Sequence, residues 1–346
     1  MKSINVGFIG VGGIAKKRHL KSLEKISGVN IQAVSDISEK NLSEVTNNYG
    51  CNGYIDYHEM LKKESLDAVF ICLPPFAHAD EVELCAKKGL HIFIEKPIAL
   101  NLKEAKAMVD VIEQSRVKSQ VGFHKRFFDS VQKMKKLINT KKAGKLGIIQ
   151  ARYFANSLHT PWWREKNKSG GQLVEQAIHT VDICTYLFGD VKKVYCNMNT
   201  LFHNDIENFT SEDVCVVNME FKNGAFASLT VTDGAIPNAW ISDMWVVAKN
   251  ITAFLDLEVK GEGECQDKFY YINEQSQDKK DYVLEKMVTN KDTHIDLAAD
   301  FIDAIKNDRA PAVPIDTGFK ALEICLAANQ SAKSGREVIL PMENID

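Results

Sequence analysis

The sequence has no excess of charge of either sign. Its 43 Lys and Arg residues are balanced by 46 Asp and Glu residues, so the 346-residue chain has a formal net charge of −3. A protein that binds a nucleic-acid backbone needs an excess of basic residues. The absence of such an excess here disfavours nucleic-acid binding. Hydrophobic residues make up 45% and charged residues 26%, which is typical of a globular protein. A chain of this length is expected to form about two domains.

Long apolar runs and paired cysteine motifs are also missing. No apolar stretch approaches the about 18 residues that span a bilayer, and the first residues break into glycines where a signal peptide would have its apolar segment. The eight cysteines are scattered without a C-x-x-C pair, and several lie in apolar runs, where a free thiol packs as a small hydrophobic side chain. We therefore expect a reduced, cytoplasmic protein that does not bind membranes.

Short β-rich apolar runs alternate with helical patterns in the first part of the chain. This alternation predicts βαβ units and hence a parallel sheet with right-handed crossovers. The near-continuous apolar character of the strands predicts that helices cover both faces of the sheet. The strand-like runs are 4–9, 30–36, 66–73, 91–96 and 119–123, and the helical patterns are 13–25, 38–48, 57–64, 78–88 and 100–115.

The pattern changes after about residue 125, where longer strands with turn signals become dominant. The fold class predicted for the whole chain is α/β: a dinucleotide-binding domain over 1–122 with a parallel sheet, followed by a domain over 123–346. This second domain is predicted to be α+β with a mostly antiparallel open sheet, and its last helix is expected to pack back on the first domain. The helices expected in it are 129–142, 172–188, 293–307 and 317–335. The expected strands are 146–154, 192–199, 212–221, 225–233, 243–259 and 268–273, and Lys222-Asn223-Gly224 predicts a hairpin turn.

The first strand runs directly into Gly10-Val11-Gly12-Gly13-Ile14-Ala15, which fits the pattern G-x-G-x-x-(G/A). In this pattern Gly10 permits a tight turn, Gly12 lets the backbone approach a pyrophosphate, and Ala15 is small enough for the helix to pack on the strand. The helix that begins here presents free N–H groups and its positive dipole end to the phosphates. Because the motif joins a strand to a helix in a βαβ series, Gly10, Gly12, Gly13 and Ile14 are predicted to bind a dinucleotide.

Asp36 follows the second strand at the position, about 20 residues beyond the turn, where an acid binds a ribose 2′-OH. Its charge would repel a 2′-phosphate, so NAD(H) is favoured over NADP(H). Two alternatives stay open. Asp36 could only cap the helix that follows it, and Lys16, Lys17 and Arg18 leave room for a 2′-phosphate.

Three further segments resemble the Gfo/Idh/MocA oxidoreductases, which include glucose–fructose oxidoreductase and inositol dehydrogenases. They are 72–100, which contains Glu95-Lys96-Pro97, the Gly-Gly helix segment 169–190, and the closing segment 320–341. Together with the glycine turn they cover nearly the whole chain. The resemblance implies a Rossmann domain and an NAD(H)-dependent dehydrogenase acting on a secondary alcohol of a sugar, inositol or related polyol. It also implies that Lys96 lies beside the nicotinamide and the substrate, with His179 as the general base.

The residues support these roles independently. Lys96 ends an apolar strand of a parallel sheet, where ligands collect, and its ammonium can hydrogen-bond a substrate oxygen. Glu175, His179 and Asp182 have spacings that place them on one helical stripe. Either carboxylate could orient the imidazole or stabilise the imidazolium formed when it takes a hydroxyl proton. A buried structural histidine and a metal site are the alternatives, but there is no H-E-x-x-H and no cysteine at ligand spacing, so we expect no metal.

Substrate selection is expected from side chains of the second domain. Indole faces stack on sugar C–H groups and Arg donates to hydroxyls, although such aromatic residues also serve as packing anchors. Many inositol-type members have Asp at the position of Glu175. The resemblance therefore implies the reaction class but not the substrate. The substrate-binding set is Lys96, Arg126, Tyr153, Trp163 and His179, the catalytic set is Lys96, His179 and Glu175, and the remaining cofactor contacts are Leu73, Pro74, His78, Glu95 and Lys96.

Rival functions within the same family resemblance are an NADP-linked sugar ketoreductase, an NAD-dependent glycosidase and a non-catalytic dinucleotide-binding sensor. Lys96 and His179 argue against the sensor. The strands of the second sheet are apolar on alternate positions, and family members commonly associate through this sheet. We therefore expect a homodimer or homotetramer.

Overall fold

A computed structural model describes residues 3–156, 160–235, 240–258, 265–272, 281–289 and 291–343. The chain divides into two compact units that both combine separate segments of the chain. The first is Met1–His124 with Asp292–Lys320, and the second is Lys125–Lys291 with Ala321–Ile345. Within the described ranges, no helix has the length and apolar character needed to cross a bilayer.

The elements are numbered in chain order. The strands are β1 (Ile4–Ile9), β2 (Val29–Ser35), β3 (Asn52–Tyr54), β4 (Ala68–Ile71), β5 (His91–Ile94), β6 (Ser119–Val121), β7 (Leu146–Phe154), β8 (Val191–Asn199), β9 (Val214–Phe221), β10 (Phe226–Thr232), β11 (Ile241–Ala248), β12 (Ile251–Asp256), β13 (Cys265–Ile272), β14 (Tyr282–Thr289) and β15 (Val338–Ile339). The α-helices are α1 (Leu20–Glu24), α2 (Glu39–Tyr49), α3 (Tyr57–Lys63), α4 (Glu81–Lys87), α5 (Leu102–Ser115), α6 (Asp129–Asn139), α7 (Pro161–Arg164), α8 (Lys166–Ser169), α9 (Ile178–Phe188), α10 (Thr293–Lys306) and α11 (Ile315–Ser334). A π-helical turn precedes α1 (Ala15–His19) and another precedes α9 (Leu173–Ala177).

The first unit contains a six-stranded parallel sheet in the order β3-β2-β1-β4-β5-β6. Its centre is packed with aromatic rings: Phe70 stacks on Phe8 at 5.1 Å and on Phe93 at 4.5 Å between ring centroids, and all three are buried. The strand order reverses between β1 and β4. In sheets of this kind, ligands bind beyond the carboxyl ends of the strands at such a reversal.

The second unit contains a nine-stranded sheet in the order β14-β13-β12-β11-β7-β10-β9-β8-β15. Only the β7–β10 pairing is parallel among its described pairings. Burial alternates along β7, where Ile149, Ala151 and Tyr153 are buried and their neighbours Ile148 and Gln150 are exposed. One face of this sheet is therefore in the core, while the other carries exposed apolar side chains.

The predicted fold class is confirmed. The first strand and the strand at 146–154 have the predicted bounds, and the turn at 222–224 joins the antiparallel strands β9 and β10. Three features of the strands differ from expectation. The run around Lys249 and Asn250 turns and yields two strands, β11 and β12, because both residues bond back to the loop after α6. The strands β3 and β14 were not anticipated.

The cysteines are packing residues for the most part. Six of the seven described thiols are buried and Cys51 is half-buried, and none of the seven forms a disulfide. Burial raises the pKa of the Cys85 and Cys184 thiols to about 12, so both stay protonated at neutral pH. Inert buried thiols are what apolar flanking sequence predicts.

Candidate active site

The glycine turn lies at the carboxyl end of β1. Gly10 has a φ of 85°, and a Cβ there would lie 2.7 Å from the Cys72 carbonyl oxygen, so only glycine fits. A Cβ at Gly12 or at Gly13 would meet nothing within 4 Å. The space beside these two residues, at the start of a helix, fits a bound pyrophosphate.

Asp36 links the turn to the second strand. Its Oδ2 accepts a hydrogen bond from the Val11 N–H at 2.9 Å, and its Oδ1 accepts one from the Ser38 N–H at 2.8 Å. The cap of α2 is Ser38, whose side chain accepts from the Asn41 N–H, so Asp36 is not the N-cap residue of this helix. Lys16 is bound by Glu44, with its Nζ 2.6 Å from the carboxylate oxygen.

The end of β4 brings Leu73, Pro74 and His78 to the same edge of the sheet. His78 Nδ1 lies 2.5 Å from Glu81 Oε1, and both side chains are buried. Burial by itself raises the pKa of Glu81, but the hydrogen bonds from His78 and from the Ala79 N–H outweigh it and the pKa is lowered. The buried carboxylate is therefore ionised.

Glu95 and Lys96 follow β5 directly. Glu95 Oε1 lies 2.6 Å from His19 Nε2, and Glu95 Oε2 accepts a hydrogen bond from the Lys96 N–H at 3.0 Å. Both His19 and Glu95 are buried. The partnership with His19 was not anticipated, because the two residues are 76 positions apart and nothing local in the sequence connects them.

In the second unit, the helical segment that carries Glu175 and His179 begins at Gly171. The N–H of Leu173 in its first turn donates to Glu212 Oε1 at 2.9 Å, and Lys166 Nζ lies 2.8 Å from Glu212 Oε2. A Cβ at Gly171 would lie 2.3 Å from the Glu212 carboxylate, so the second glycine of the pair is required there. Glu212 thus holds the start of the segment, a role that its sequence context did not reveal.

Glu175 and Tyr153 are joined through Gln176. The side-chain amide of Gln176 donates to Glu175 Oε2 and accepts from the Tyr153 hydroxyl at 2.8 Å. All three side chains are buried. Burial raises the pKa of Tyr153 well above its usual value, and the carboxylates of Glu258, Glu175 and Asp233 raise it further. Tyr153 is therefore a neutral hydroxyl at physiological pH.

Lys125 is another residue that the sequence analysis missed. Its Nζ donates to Ser242 Oγ at 2.7 Å, lies 3.4 Å from Glu258 Oε2 and stands 5.5 Å from the centroid of the Tyr153 ring. Ser242 pairs with Tyr153 across β11 and β7. A buried ammonium therefore lies next to the predicted substrate residue Tyr153.

Arg126 and Asp182 form a buried ion pair. Arg126 Nε donates to Asp182 Oδ2 at 2.8 Å and Nη2 to Oδ1 at 2.6 Å, and the guanidinium stands 4.5 Å from the Tyr186 ring centroid. The carboxylate of Asp182 is thus bound to Arg126.

His179 and Trp163 are both half-buried in the second unit. His179 lies in the first turn of α9, and Trp163 lies in α7 with its ring edge-on to Trp162 at 5.5 Å between centroids. Lys96 belongs to the first unit. Within the described part of the chain, no group of three or more His, Cys, Asp or Glu residues is placed to hold a metal ion.

Family models match both parts of the chain. Residues 4–123 match the model described as an oxidoreductase family with an NAD-binding Rossmann fold, and residues 131–250 match the GFO/IDH/MocA C-terminal domain. Together these two segments account for more than half of the sequence.

Similar proteins include dehydrogenases. The chain is 26% identical to the myo-inositol 2-dehydrogenase of Thermotoga maritima over 97% of this chain and 98% of that protein, and 26% identical to the glucose-6-phosphate 3-dehydrogenase of Bacillus subtilis over 67% and 68%. The crystal structure of a probable dehydrogenase from Thermotoga maritima matches with a TM-score of 0.82 and 26% identity over 97% of this chain and 99% of that one. Levoglucosan dehydrogenase in complex with NADH and levoglucosan has the same fold, with a TM-score of 0.89 at 20% identity over 99% of this chain and 100% of that one. The chain belongs to the Gfo/Idh/MocA family of NAD(P)-binding oxidoreductases.

Proposed function

We propose that this protein is an NAD(H)-dependent dehydrogenase that interconverts a secondary alcohol and a ketone on a sugar, inositol or related polyol. The observation that carries the proposal is the set of groups at the carboxyl edge of the parallel sheet: the glycine turn after β1, Asp36 after β2 and Lys96 after β5. The inositol and sugar-phosphate dehydrogenases among the relatives support the same reaction class.

The residues at this edge fit a dinucleotide. Gly10, Gly12, Gly13 and Ile14 would hold the pyrophosphate at the start of the helix, and Asp36 would bind the adenosine ribose. Leu73, Pro74, His78 and Glu95 complete the proposed cofactor site. The chemistry that bound NAD would supply is reversible hydride transfer at its nicotinamide ring.

Side chains of the protein would bind the substrate oxygen and accept its proton. Lys96 Nζ donates a hydrogen bond to the oxygen of the reacting carbon, and an imidazole nitrogen of His179 takes the hydroxyl proton during oxidation. Glu175, held by Gln176, stabilises the imidazolium that results. The hydroxyl of Tyr153 and the indole of Trp163 are proposed to bind the substrate. Arg126, which is paired with Asp182, is also proposed to bind the substrate.

A substrate panel tests this proposal. Purified protein is assayed by absorbance at 340 nm with NAD⁺ or NADP⁺ against neutral sugars, inositols and sugar phosphates. We expect reduction of NAD⁺ with at least one polyol, and we expect Lys96→Ala and His179→Ala each to lower kcat at least about 100-fold, since positioned acid–base groups contribute that much. NADH binding, followed by fluorescence, should persist in both variants. Full turnover in both variants would overturn the assigned roles, and binding of NADH without turnover of any compound would support a sensor instead.

The preference for NAD over NADP is proposed to come from Asp36. Its carboxylate lies at the end of β2, and the nearby Lys16 ammonium is bound by Glu44, so a 2′-phosphate would meet uncompensated negative charge. The variant Asp36→Asn keeps an acceptor for the Val11 N–H but removes the charge. We expect its ratio of kcat/KM for NADP⁺ over NAD⁺ to rise at least tenfold. The control is Glu59→Gln, which removes an exposed acidic charge on α3 that does not bind Lys16. A wild-type preference for NADP⁺ would contradict the proposed role of Asp36.

We further propose that a second copy of the chain covers the exposed face of the nine-stranded sheet. Phe226 is 54% exposed and Ile148 44%, and the two are paired across β10 and β7. Exposed apolar faces of this kind mark association surfaces. Light scattering at micromolar concentration should give the mass of a dimer or tetramer, and Phe226→Asp should shift it towards the monomer. A monomeric wild-type protein would exclude this association.

A further inference from the structure

We propose that His19 and Glu95 are positioning residues for the proposed reaction: they fix the backbone at Lys96 and so place its ammonium. The inference rests on the proposed function for its kinetic consequence, but the positioning itself is a property of the first unit. Neither residue needs to touch the substrate. Their effect passes through the hydrogen bond that Glu95 Oε2 accepts from the Lys96 N–H at 3.0 Å.

The hydrogen-bond chain has a defined direction. Burial raises the pKa of Glu95, but the hydrogen bond and charge of His19, together with the charges of Lys96 and His294, outweigh burial and lower it. The ionised carboxylate can only accept, so His19 Nε2, 2.6 Å from Glu95 Oε1, carries the proton that it donates. The carboxylate thus receives one hydrogen bond on each oxygen, from His19 on one side and from Lys96 on the other.

The surroundings leave this arrangement little freedom. The His19 ring lies edge-on to Phe93 at 4.8 Å and tilted against Phe70 at 5.8 Å between centroids, in the core of the sheet. On the other side, a Cβ at Gly122 would lie 2.7 Å from Glu95 Oε2, so the bare backbone of Gly122 packs against the carboxylate. Because both partners are confined in this way, movement of His19 would be transmitted to Glu95 and then to the Lys96 backbone.

The position of His19 in the chain gives the pair a second consequence. His19 ends the π-helical turn Ala15–His19, which follows the glycine turn of the proposed cofactor site. Turns of this type often occur at functional sites, where they redirect a side chain. The His19–Glu95 bond therefore connects the helix that would bind the pyrophosphate with the strand end that carries Lys96.

A second buried His–Glu pair in the same unit is local and so contrasts with the long-range pair of His19 and Glu95. His78 and Glu81 are three residues apart, and the Glu81 carboxylate accepts from the Ala79 N–H at 2.7 Å. The His78–Glu81 pair therefore stabilises a local turn. In contrast, the His19–Glu95 pair joins residues 76 positions apart and ends on Lys96 itself.

The test compares His19→Ala with His19→Gln, whose side-chain amide can donate to Glu95 in place of Nε2. The control is His91→Asn at the opposite end of β5, where the Asn oxygen can accept the Lys118 N–H that His91 Nδ1 accepts at 3.1 Å. We expect His19→Ala to lower kcat about 30-fold, because misplacement of a reacting group by about 1 Å has an effect of this order. KM for the polyol and the dissociation constant of NADH should stay within threefold. His19→Gln should recover kcat to within fivefold of wild type, and His91→Asn should match wild type.

Hydrogen exchange provides a readout that needs no turnover. The Lys96 amide should exchange at least tenfold faster in His19→Ala than in wild type, and at the wild-type rate in His91→Asn. Unchanged exchange, or a loss of NADH affinity as large as the loss of kcat, would overturn the inference. If wild type oxidises no polyol, the proposed function fails while the exchange measurement still decides on the positioning. If His19→Ala does not fold, Glu95→Gln decides instead. It should show the loss of kcat together with the faster exchange of the Lys96 amide, and wild-type values of both would refute the role.

Discussion

The two sheets of this protein bury their strands in different ways. In the parallel sheet, all four residues of β4 are buried, because helices cover both faces. In the nine-stranded sheet, burial alternates along β7 and β10, and one face carries exposed side chains. This difference in burial limits where each unit can place functional groups. The first has only the strand ends, with the glycine turn and Lys96, whereas the second can use a buried face, with Tyr153 and Ser242 on neighbouring strands.

The largest effect is expected from the ion pairs. Asp182→Asn removes the partner of a buried guanidinium, and leaving Arg126 uncompensated should lower the free energy of unfolding by about 3 kcal/mol. The matched variant in the first unit is Asp110→Asn, which breaks an exposed pair with Lys106 on α5 and should cost about 0.4 kcal/mol. Urea unfolding followed by circular dichroism measures both. Equal losses would show that the core of the second unit tolerates an unpaired charge.

The second prediction compares the sheets by the same substitution. Val69→Ala in β4 removes two methyl groups from a position with no exposure and should lower the free energy of unfolding by about 2 kcal/mol. Val283→Ala in β14 changes a side chain that is 52% exposed and should stay within about 0.5 kcal/mol. Urea unfolding followed by circular dichroism measures both losses. A costly Val283→Ala would mean that this edge of the second sheet is covered in solution.

The smallest expected effect is on the loss of stability at acidic pH. Because the pKa of Glu81 is lower in the folded protein than its usual 4.5, the unfolded state binds more protons in this range, and stability falls as the pH drops through about 4.5 and below. We expect Glu81→Gln to flatten the loss of urea midpoint between pH 5 and pH 3. An unchanged pH dependence would show that the His78–Glu81 pair contributes nothing to acid sensitivity.

Much of the fold was predictable because its signals are local. The apolar run 4–9 followed by glycines indicated both β1 and its turn, and alternation over 146–154 indicated β7. The strand β3 was not predictable, since Asn52 and Gly53 have low strand propensity and form a strand only by pairing with β2. The split between β11 and β12 likewise depends on bonds from Lys249 and Asn250 to the loop after α6.

The candidate site divides along the same line. The glycine turn, the acid after β2 and the lysine after β5 could be predicted, because each follows from residues adjacent in the chain. The pairing of Glu95 with His19 and that of Asp182 with Arg126 could not be predicted, because the partners are 76 and 56 residues apart. The physical reason is that a buried charge must find its partner wherever the strand order brings one within hydrogen-bond distance. Neither sheet order nor side-chain direction is encoded in the spacing of these residues along the chain.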